Sequence, residues 1–283
     1  MELVQLRIFK AVAEHGGITR AAAALNRVQS NVTTRVKQLE ERLGARLFER
    51  RGRRMVLSPA GKVLLAYAER LLQLSAEAQA ALKGRAPQGL LRLGSLESTA
   101  ATRLPAALAR YHRDYPSVRL ELATGTSAAL ALRVLREELD AAFVAEPFAS
   151  RGLEARHVFT EELVLISAKD HPAIVSPADL GQTAVLAFTI GCAYRRRLEA
   201  WLGRARRVAP RVMEYGSYHA IIACAAAGGG VAVVPKLVLR ATGMESQVKL
   251  HSLPAKIAQA RTLLVWRRGH DSGALDALRK ILV

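Results

Sequence analysis

Cysteine is nearly absent from this 283-residue sequence. Cys192 and Cys224 stand alone, too few for a disulfide framework and without metal-ligand spacing. Long apolar runs are missing too. The longest, Ala220 to Val234, is broken by Gly228, Gly229 and Gly230 and falls short of the roughly 20 residues a spanning helix needs. It reads as helix, glycine turn and buried strand. The opening residues, MELVQLRIFK, lack the basic-then-apolar order of a signal peptide. These absences predict a soluble, cytoplasmic protein with no membrane partner. Catalytic signatures are lacking as well. The glycine triplet precedes Val-Ala-Val-Val-Pro rather than the Lys-Ser/Thr of a phosphate loop. No GxSxG elbow is present, and the seven histidines are scattered. We therefore expect no enzyme, no metal and no cofactor. No solenoid-period repeat or low-complexity tract is visible.

Acidic residues are the other shortage. Asp and Glu number 24 against 42 Lys and Arg, a formal charge of +18, which favours a polyanionic partner. Arginine outnumbers lysine 33 to 9, so a GC-rich genome is a competing source of the excess. Its distribution helps to decide. Residues 1–60 hold 12 basic and 5 acidic residues, and their charge density is more than twice that of the rest. With 51% apolar residues, the chain can bury a sizeable core and has length for two domains.

Leu3 to His15 has apolar residues at helical spacing and stops at Gly16-Gly17. Thr19 is expected to cap a second helix through Leu25, in which Ala21 to Ala24 permit close approach of another helix. After a turn at Asn26-Arg27, a third helix runs to about Leu43. Val32, Val36, Leu39 and Leu43 form its expected buried stripe, and Gly44 ends it. "ERRGRRMVLS" reads as a hairpin turning at Gly52. Ser58-Pro59 opens a long helix through about Lys83, whose Leu64, Tyr67, Leu71, Leu74, Ala78 and Ala81 repeat as a coiled-coil seam. Such a seam needs a partner helix. "KGRAPQG" is the linker. Beyond it, "LLRLGSL", "VRLELATG", "DAAFVA", "ELVLISA", "AVLAFTI", "VAVVP" and "TLLVWR" read as strands. Helices over Pro105 to Tyr115 and Ser127 to Leu139 alternate with them, predicting an open α/β sheet arrangement.

The segment "VQSNVTTRVKQLE" is polar without a breaker. With Val32, Val36 and Leu39 turned inward, Gln29, Ser30, Thr33, Thr34 and Lys37 lie outside, with Arg27 at the entrance. Short amide and hydroxyl side chains there can reach base edges, and nearby arginines can hold phosphates. A plain solvated face is the alternative, but the Ala-rich helix before it and the arginine hairpin after it are the parts of a winged helix-turn-helix. Residues 1–65, through "FKAVAEHGGITRAAAALN", "QSNVTTRVKQLEERLGARLFER" and "VLSPAG", resemble the N-terminal domain of the LysR-type transcriptional regulators. "PAALARYHRDYPSVRLEL", "LDAAFV", "HPAIVSPADL" and "GGGVAVVP" extend the resemblance over essentially the whole chain. It implies an N-terminal winged helix-turn-helix over 1–58, a dimerising linker helix and hinge over 59–87, and an effector-binding α/β domain over 88–283. That last part would resemble periplasmic binding proteins, with one lobe at 88–161 and 265–283 and the other at 162–264. The resemblance places base reading on Gln29, Ser30, Asn31, Thr33 and Thr34 and the wing on Arg51, Arg53 and Arg54. Three departures stand out: Val28 and Ser30 replace a frequent Ser and Pro at the helix start, and Glu138 replaces a frequent Gly.

Polar residues between strands and helices mark a cleft in the effector half. They are Ser95, Ser98 and Thr99; Thr126 and Ser127; Thr189, Gly191, Cys192 and Tyr194; and Gly216, Ser217 and His219. By resemblance these loops line the effector site, with Ser98 and Thr126 at positions that contact a ligand carboxylate. Ordinary capping is the alternative for each hydroxyl. Cys192, beside Arg195, Arg196 and Arg197, reads as a thiol favouring its thiolate, with redox sensing an open option; Cys224 reads as core. The function so implied is a ligand-responsive DNA-binding regulator that takes a small organic acid or amino acid as effector. Its expected partners are operator DNA, further copies of itself (dimer through the linker helix, then tetramer) and RNA polymerase. A solute-binding protein and a constitutive architectural DNA binder are the rival readings.

Overall fold

The computed structural model describes residues 1–52, 54–82, 86–203, 211–270 and 272–282. The chain divides into two compact units, Met1–Gly89 and Leu90–Val283.

The first unit runs α1 (Leu3–His15), α2 (Ile18–Ala24), α3 (Gln29–Leu43), β1 (Phe48–Arg51), β2 (Arg54–Leu57) and α4 (Pro59–Leu82). Leu6, Phe9 and Val12 of α1 meet Val32, Val36 and Leu39 of α3, with Ala21 and Ala22 of α2 fully buried between them. Small side chains on α2 let three helices share so little volume. Two details differ from the sequence reading. Leu43 is 41% exposed and outside the stripe, because Gly44 turns the chain with a φ of 62° one residue later. Thr19 lies inside α2, whose cap position is Gly17 and which has no side-chain cap.

Helix α4 has two apolar faces. Leu64, Leu65, Ala68 and Leu72 pack on the core of the first unit. Val63, Tyr67, Leu71 and Leu74 stay exposed. Leu64 therefore belongs to the core face and not to the exposed ridge. Lys83 lies outside the described residues.

The second unit opens with β3 (Gly89–Ser95), α5 (Glu97–Thr102), α6 (Leu104–Asp114), β4 (Val118–Thr124), α7 (Ser127–Leu135) and β5 (Ala141–Ala145). The 16-residue β6 (Leu153–Ala168) follows, then β7 (Val185–Phe188), α8 (Ala193–Gly203), β8 (Val212–Tyr215) and α9 (Tyr218–Ala226). The chain ends with β9 (Val231–Pro235), α10 (Lys236–Ala241), β10 (Val248–His251), α11 (Ala255–Ala258), β11 (Gln259–Arg267) and α12 (Gly273–Ile281). The strands lie in the order β4-β3-β5-β11-β6-β9-β7-β8, with β10 also on β6. Parallel pairs β3–β5, β7–β8 and β7–β9 form the two halves. Antiparallel β11 and β6 join them, and β6 pairs with β11 along its first part and with β9 along its second. Alternation sorts the core. Leu91, Leu93, Phe143, Leu264 and Trp266 face α6 and α12, while Ala142, Val144, Leu263 and Val265 join the cluster that holds Leu130 and Val134 of α7.

The expected helix at Pro105 to Tyr115 is α6, preceded by the short α5 that the sequence did not mark, and the one at Ser127 to Leu139 stops at Leu135. Its terminating device is Glu137, in the left-handed region at φ 61°. The amides of Glu138 and Leu139 then donate back to the Arg133 carbonyl at 2.9 and 3.3 Å. Glu138 adds an ion pair to Arg133 at 3.2 Å. Among the described residues no helix is long and apolar enough to cross a membrane.

Candidate functional site

In the first unit, Gln29, Ser30, Thr33, Thr34 and Lys37 line the exposed side of α3, with Arg27 exposed before it and Asn31 half-buried. Val28 caps α3 with its carbonyl alone, accepting from Asn31 N at 3.1 Å, while its side chain is 68% exposed. Arg27 Nη1 donates to Asn31 Oδ1 at 3.4 Å, and Thr33 Oγ1 donates to Gln29 O at 2.9 Å. The Thr33 hydroxyl thus keeps its lone pairs outward and spends its proton on the helix. Glu40 anchors the helix from behind, since its Oε1 accepts from Leu47 N at 2.7 Å and Phe48 N at 3.3 Å. This ties α3 to the β1–β2 hairpin. Arg54 is exposed and registers with Arg51 across the turn. Arg53 lies outside the described residues. Helix, turn, helix and arginine-bearing hairpin make one basic surface suited to a phosphate backbone with base edges between.

In the second unit the polar loops converge where the two halves of the sheet meet. Tyr194 of α8 is completely buried and directs its hydroxyl toward Ser98 of α5 and Thr262 of β11. Yet Ser98 Oγ, Thr99 Oγ1, Tyr194 OH and Thr262 Oγ1 complete no hydrogen bond among the described residues, though each is shielded from solvent. Burying one such hydroxyl unpaired costs about 1–3 kcal/mol, so four together mark a place for a polar guest. Thr262 sits at a register shift between β11 and β6, beside Leu263, which re-aims a strand side chain. Burial pushes the Tyr194 phenol up, as it does for Tyr218. Both rings stay neutral donors.

Two contacts bridge the rim. Ala128 N of α7 donates to Gly191 O at 3.3 Å, next to Thr126, whose Oγ1 accepts from Ala129 N at 3.4 Å. A side chain at Gly191 would meet Thr126 Oγ1 at 2.7 Å, and its φ is +94°, so glycine is required twice over. Opposite, Tyr218 N donates to Glu97 Oε2 at 3.2 Å. Burial raises the Glu97 pKa, partly offset by that amide and by the charge of His219.

Several sequence-predicted residues have other work. Ser127 Oγ accepts from Ala145 N at 3.0 Å, and Ser95 Oγ donates to Leu96 O at 2.9 Å; both are buried in local bonds. Thr189 and Ser217 are half-buried beside the cleft, while Gly216 and His219 are exposed. Cys192 overturns its reading. It is 5% exposed, and burial pushes its thiol up despite bonds from the Arg195 and Tyr194 amides. Arg195 does not lower it enough, because its guanidinium is engaged by Glu199 at 2.8 Å and Glu214 at 2.9 Å. Cys224 is half-buried, next to Tyr215. Sequence reasoning missed Thr262, Tyr218 and the buried Glu161, which Arg103 grips at 2.9 Å. No local motif marks them, since two are strand residues brought in by the crossover.

Residues 3–62 match the model of the bacterial regulatory helix-turn-helix proteins of the lysR family, and residues 84–283 match the LysR substrate binding domain. The chain belongs to the LysR family. It is similar to the HTH-type transcriptional regulator YusT of Bacillus subtilis, itself uncharacterized, at 41% identity over 100% of this chain and 94% of that one. GltR of the same organism, also an HTH-type transcriptional regulator, is 37% identical over 95% and 91%. Among solved structures, a full-length OxyR variant from Pseudomonas aeruginosa superposes with a TM-score of 0.72 at 23% identity, covering 100% and 94% of the two chains. CbnR solved with its target DNA gives 0.66 at 22%, covering 100% and 99%. At such identities these two speak for the fold. This LysR-type chain is a DNA-binding, ligand-responsive transcriptional regulator, not an enzyme.

Proposed function

We propose that this regulator senses a small organic acid or amino acid in the cleft of its second unit and transmits occupancy to operator DNA. The observation that carries this is the set of four buried, unpaired hydroxyls at Ser98, Thr99, Tyr194 and Thr262. Hydroxyl donors suit a carboxylate, and Arg103 and Arg195 are already committed to carboxylates of the chain. Glu97 at the rim is placed for a ligand amine. The rim bond between Ala128 N and Gly191 O, beside Thr126, would part or tighten as a ligand enters.

On the DNA side, the exposed positions of α3 support base reading by Gln29, Ser30, Thr33 and Thr34 in a major groove, with the half-buried Asn31 beside them. Arg27, Lys37 and the hairpin residues Arg51, Arg53 and Arg54 would hold phosphates or the adjacent minor groove. The ridge of Val63, Tyr67, Leu71 and Leu74 supports pairing of α4 helices, which sets two recognition helices about 34–36 Å apart. A tetramer on a longer bent site, and contact with RNA polymerase, extend the same reading. Effector coupling of about 1–3 kcal/mol would then shift operator affinity or bend.

The test is a thermal-shift screen of small acids and amino acids against the full chain, followed by calorimetry of any hit. Tyr194→Phe and Ser98→Ala are expected to weaken the hit at least about tenfold, the loss of one or two bonds to a charged group, while leaving operator affinity unchanged. A hit that binds both variants as tightly as the parent chain places the effector elsewhere.

A further inference from the structure

We propose a second ligand site in this regulator, for a small multiply charged anion, in a basic groove on the flank of the β6–β11 crossover between the two halves of the second unit. The groove encloses about 630 Å³, inside the range of roughly 300–1,000 Å³ typical of small-molecule sites. Arg196 and Arg197 of α8 and Lys256 of α11 line it from one lobe; Arg261 of β11 with His157 and Thr160 of β6 line it from the crossover strands. Four permanent cations therefore surround one concavity, and no carboxylate is among its lining residues.

The cations are only partly answered within the chain. Glu146 is the nearby acid, with its Oε2 3.9 Å from Arg261 Nη1 and its charge also acting on Arg197. One carboxylate between two guanidinium groups leaves a cationic excess. Arg196 and Lys256 have no ion pair among the described residues. Arg197 is held in place by carbonyls instead, donating through Nε to Glu146 O and through Nη1 to Lys256 O, each at 3.1 Å. Half-buried and without a carboxylate at bonding distance, it is a cation with its orientation already fixed. Burial pulls its pKa down, the sign of a positive charge short of solvent and counter-charge. Like charges gathered around a concave wall focus a positive potential, which an anion relieves. Planar guanidinium forks suit the oxygens of phosphoryl and carboxylate groups alike.

The groove is separate from the hydroxyl cleft. Its walls come from α8 and α11 of one lobe, from both crossover strands and, through Pro147 after β5, from the other lobe, so an anion spanning Arg261 and Lys256 would restrain the halves against each other. Helix α8 links the two places, because Tyr194 reaches the cleft three residues before Arg197 reaches the groove. Occupancy of the groove would thus bear on the cleft through a rigid element.

Titration of pyrophosphate and of citrate into the full chain, by calorimetry at about 0.15 M salt, tests it. The Arg196→Ala/Lys256→Ala double variant removes two exposed, unpaired side chains and leaves Arg197 in place. An Arg50→Ala/Arg54→Ala variant controls for anions on the DNA-binding unit. We expect a single saturable site per chain, weakened at least about tenfold in the groove variant and unchanged in the hairpin variant. Tighter binding of pyrophosphate would assign the site to phosphorylated ligands, and tighter binding of citrate to polycarboxylates. The proposal is overturned if neither anion binds at millimolar concentration, or if the hairpin variant loses as much as the groove variant. It is equally overturned if the groove variant loses operator affinity while anion binding is unaltered, since the groove would then be a DNA contact.

Discussion

Replacing Arg103 with alanine strips the counter-charge from a carboxylate sealed at the joint of the two lobes. Glu161 is 3% exposed, whereas the Arg103 side chain is 34% exposed. Arg103 Nε and Nη2 donate to the two Glu161 oxygens at 2.9 and 3.3 Å, and Nη2 reaches Thr160 O at 3.3 Å. The guanidinium also lies 5.5 Å over the Phe159 ring. Removing one partner of a buried pair costs about 3–5 kcal/mol, and partial exposure of the arginine argues for the lower end, about 3 kcal/mol. Urea unfolding can read this cleanly, because Trp201 and Trp266 are the two tryptophans of the chain and both lie in the second unit. With a urea slope of about 2–3 kcal/mol per molar for a unit of this size, the midpoint should fall by about 1–1.5 M. The double replacement Arg103→Met/Glu161→Leu should recover most of that loss, since an apolar pair leaves no charge stranded. A single variant within about 0.2 M of the parent, or a double variant as weak as the single, would refute the reasoning.

Three further outcomes are expected. His251 is buried with both nitrogens in use, Nδ1 accepting from Ile174 N at 3.1 Å and Nε2 bonded to Ser167 Oγ at 2.8 Å. Burial, then the charges of His171 and Lys249, lower its pKa. Its contribution is therefore complete above the unfolded value near 6.5 and is lost as pH falls below it, with a slope of up to about 1.4 kcal/mol per pH unit. Urea midpoints from pH 7.5 to 5 should fall more steeply for the parent than for His251→Asn, and equal slopes would exclude His251. Gly191→Ala should lower the melting temperature by several degrees, from about 1–3 kcal/mol of strain and collision. Adding Thr126→Ala, which removes the colliding oxygen, should restore part of it; a Gly191→Ala protein that melts with the parent would deny the rim contact. Leu71→Glu and Leu74→Glu should shift sedimentation toward the monomer and weaken operator binding by more than about tenfold. An unchanged oligomer would remove the α4 ridge from self-association.

Local pattern carried the fold where each residue's neighbours in sequence are also its neighbours in space. Val32, Val36 and Leu39 were legible because a helix puts them on one stripe and Gly44 ends it. The stop of α7 was not, because Glu137 takes a left-handed conformation that a residue other than glycine seldom adopts. The long helix was read as one seam, but it has two apolar faces, and Leu64 sits on the one that the first unit covers. Periodicity reports that a face is apolar and is silent about which neighbour claims it. Strand β6 exceeded its apolar core because Leu153 to Glu161 alternates too irregularly, with Arg156, His157 and Glu161, to look buried.

The candidate site divides along the same line. Residues on strand-to-helix loops, such as Ser98, Thr126 and Gly191, could be named from type and position. Thr262 and Glu161 could not, since their place in the cleft comes from the two strands that cross between lobes. Cys192 shows what a list of neighbouring residues lacks. Three arginines follow it within five positions, and the sequence logic made its thiolate favourable. In the fold Arg195 is neutralised by two glutamates, Arg197 points to carbonyls on the far side of α8, and the sulfur is left in a nearly dry pocket. How strongly a charge acts on a neighbour depends on the distance at which its side chain is held and on the counter-charges already beside it. The same rule that disarms Cys192 arms the groove, where Arg196 and Arg197 turn away from the cleft and find too few carboxylates to answer them.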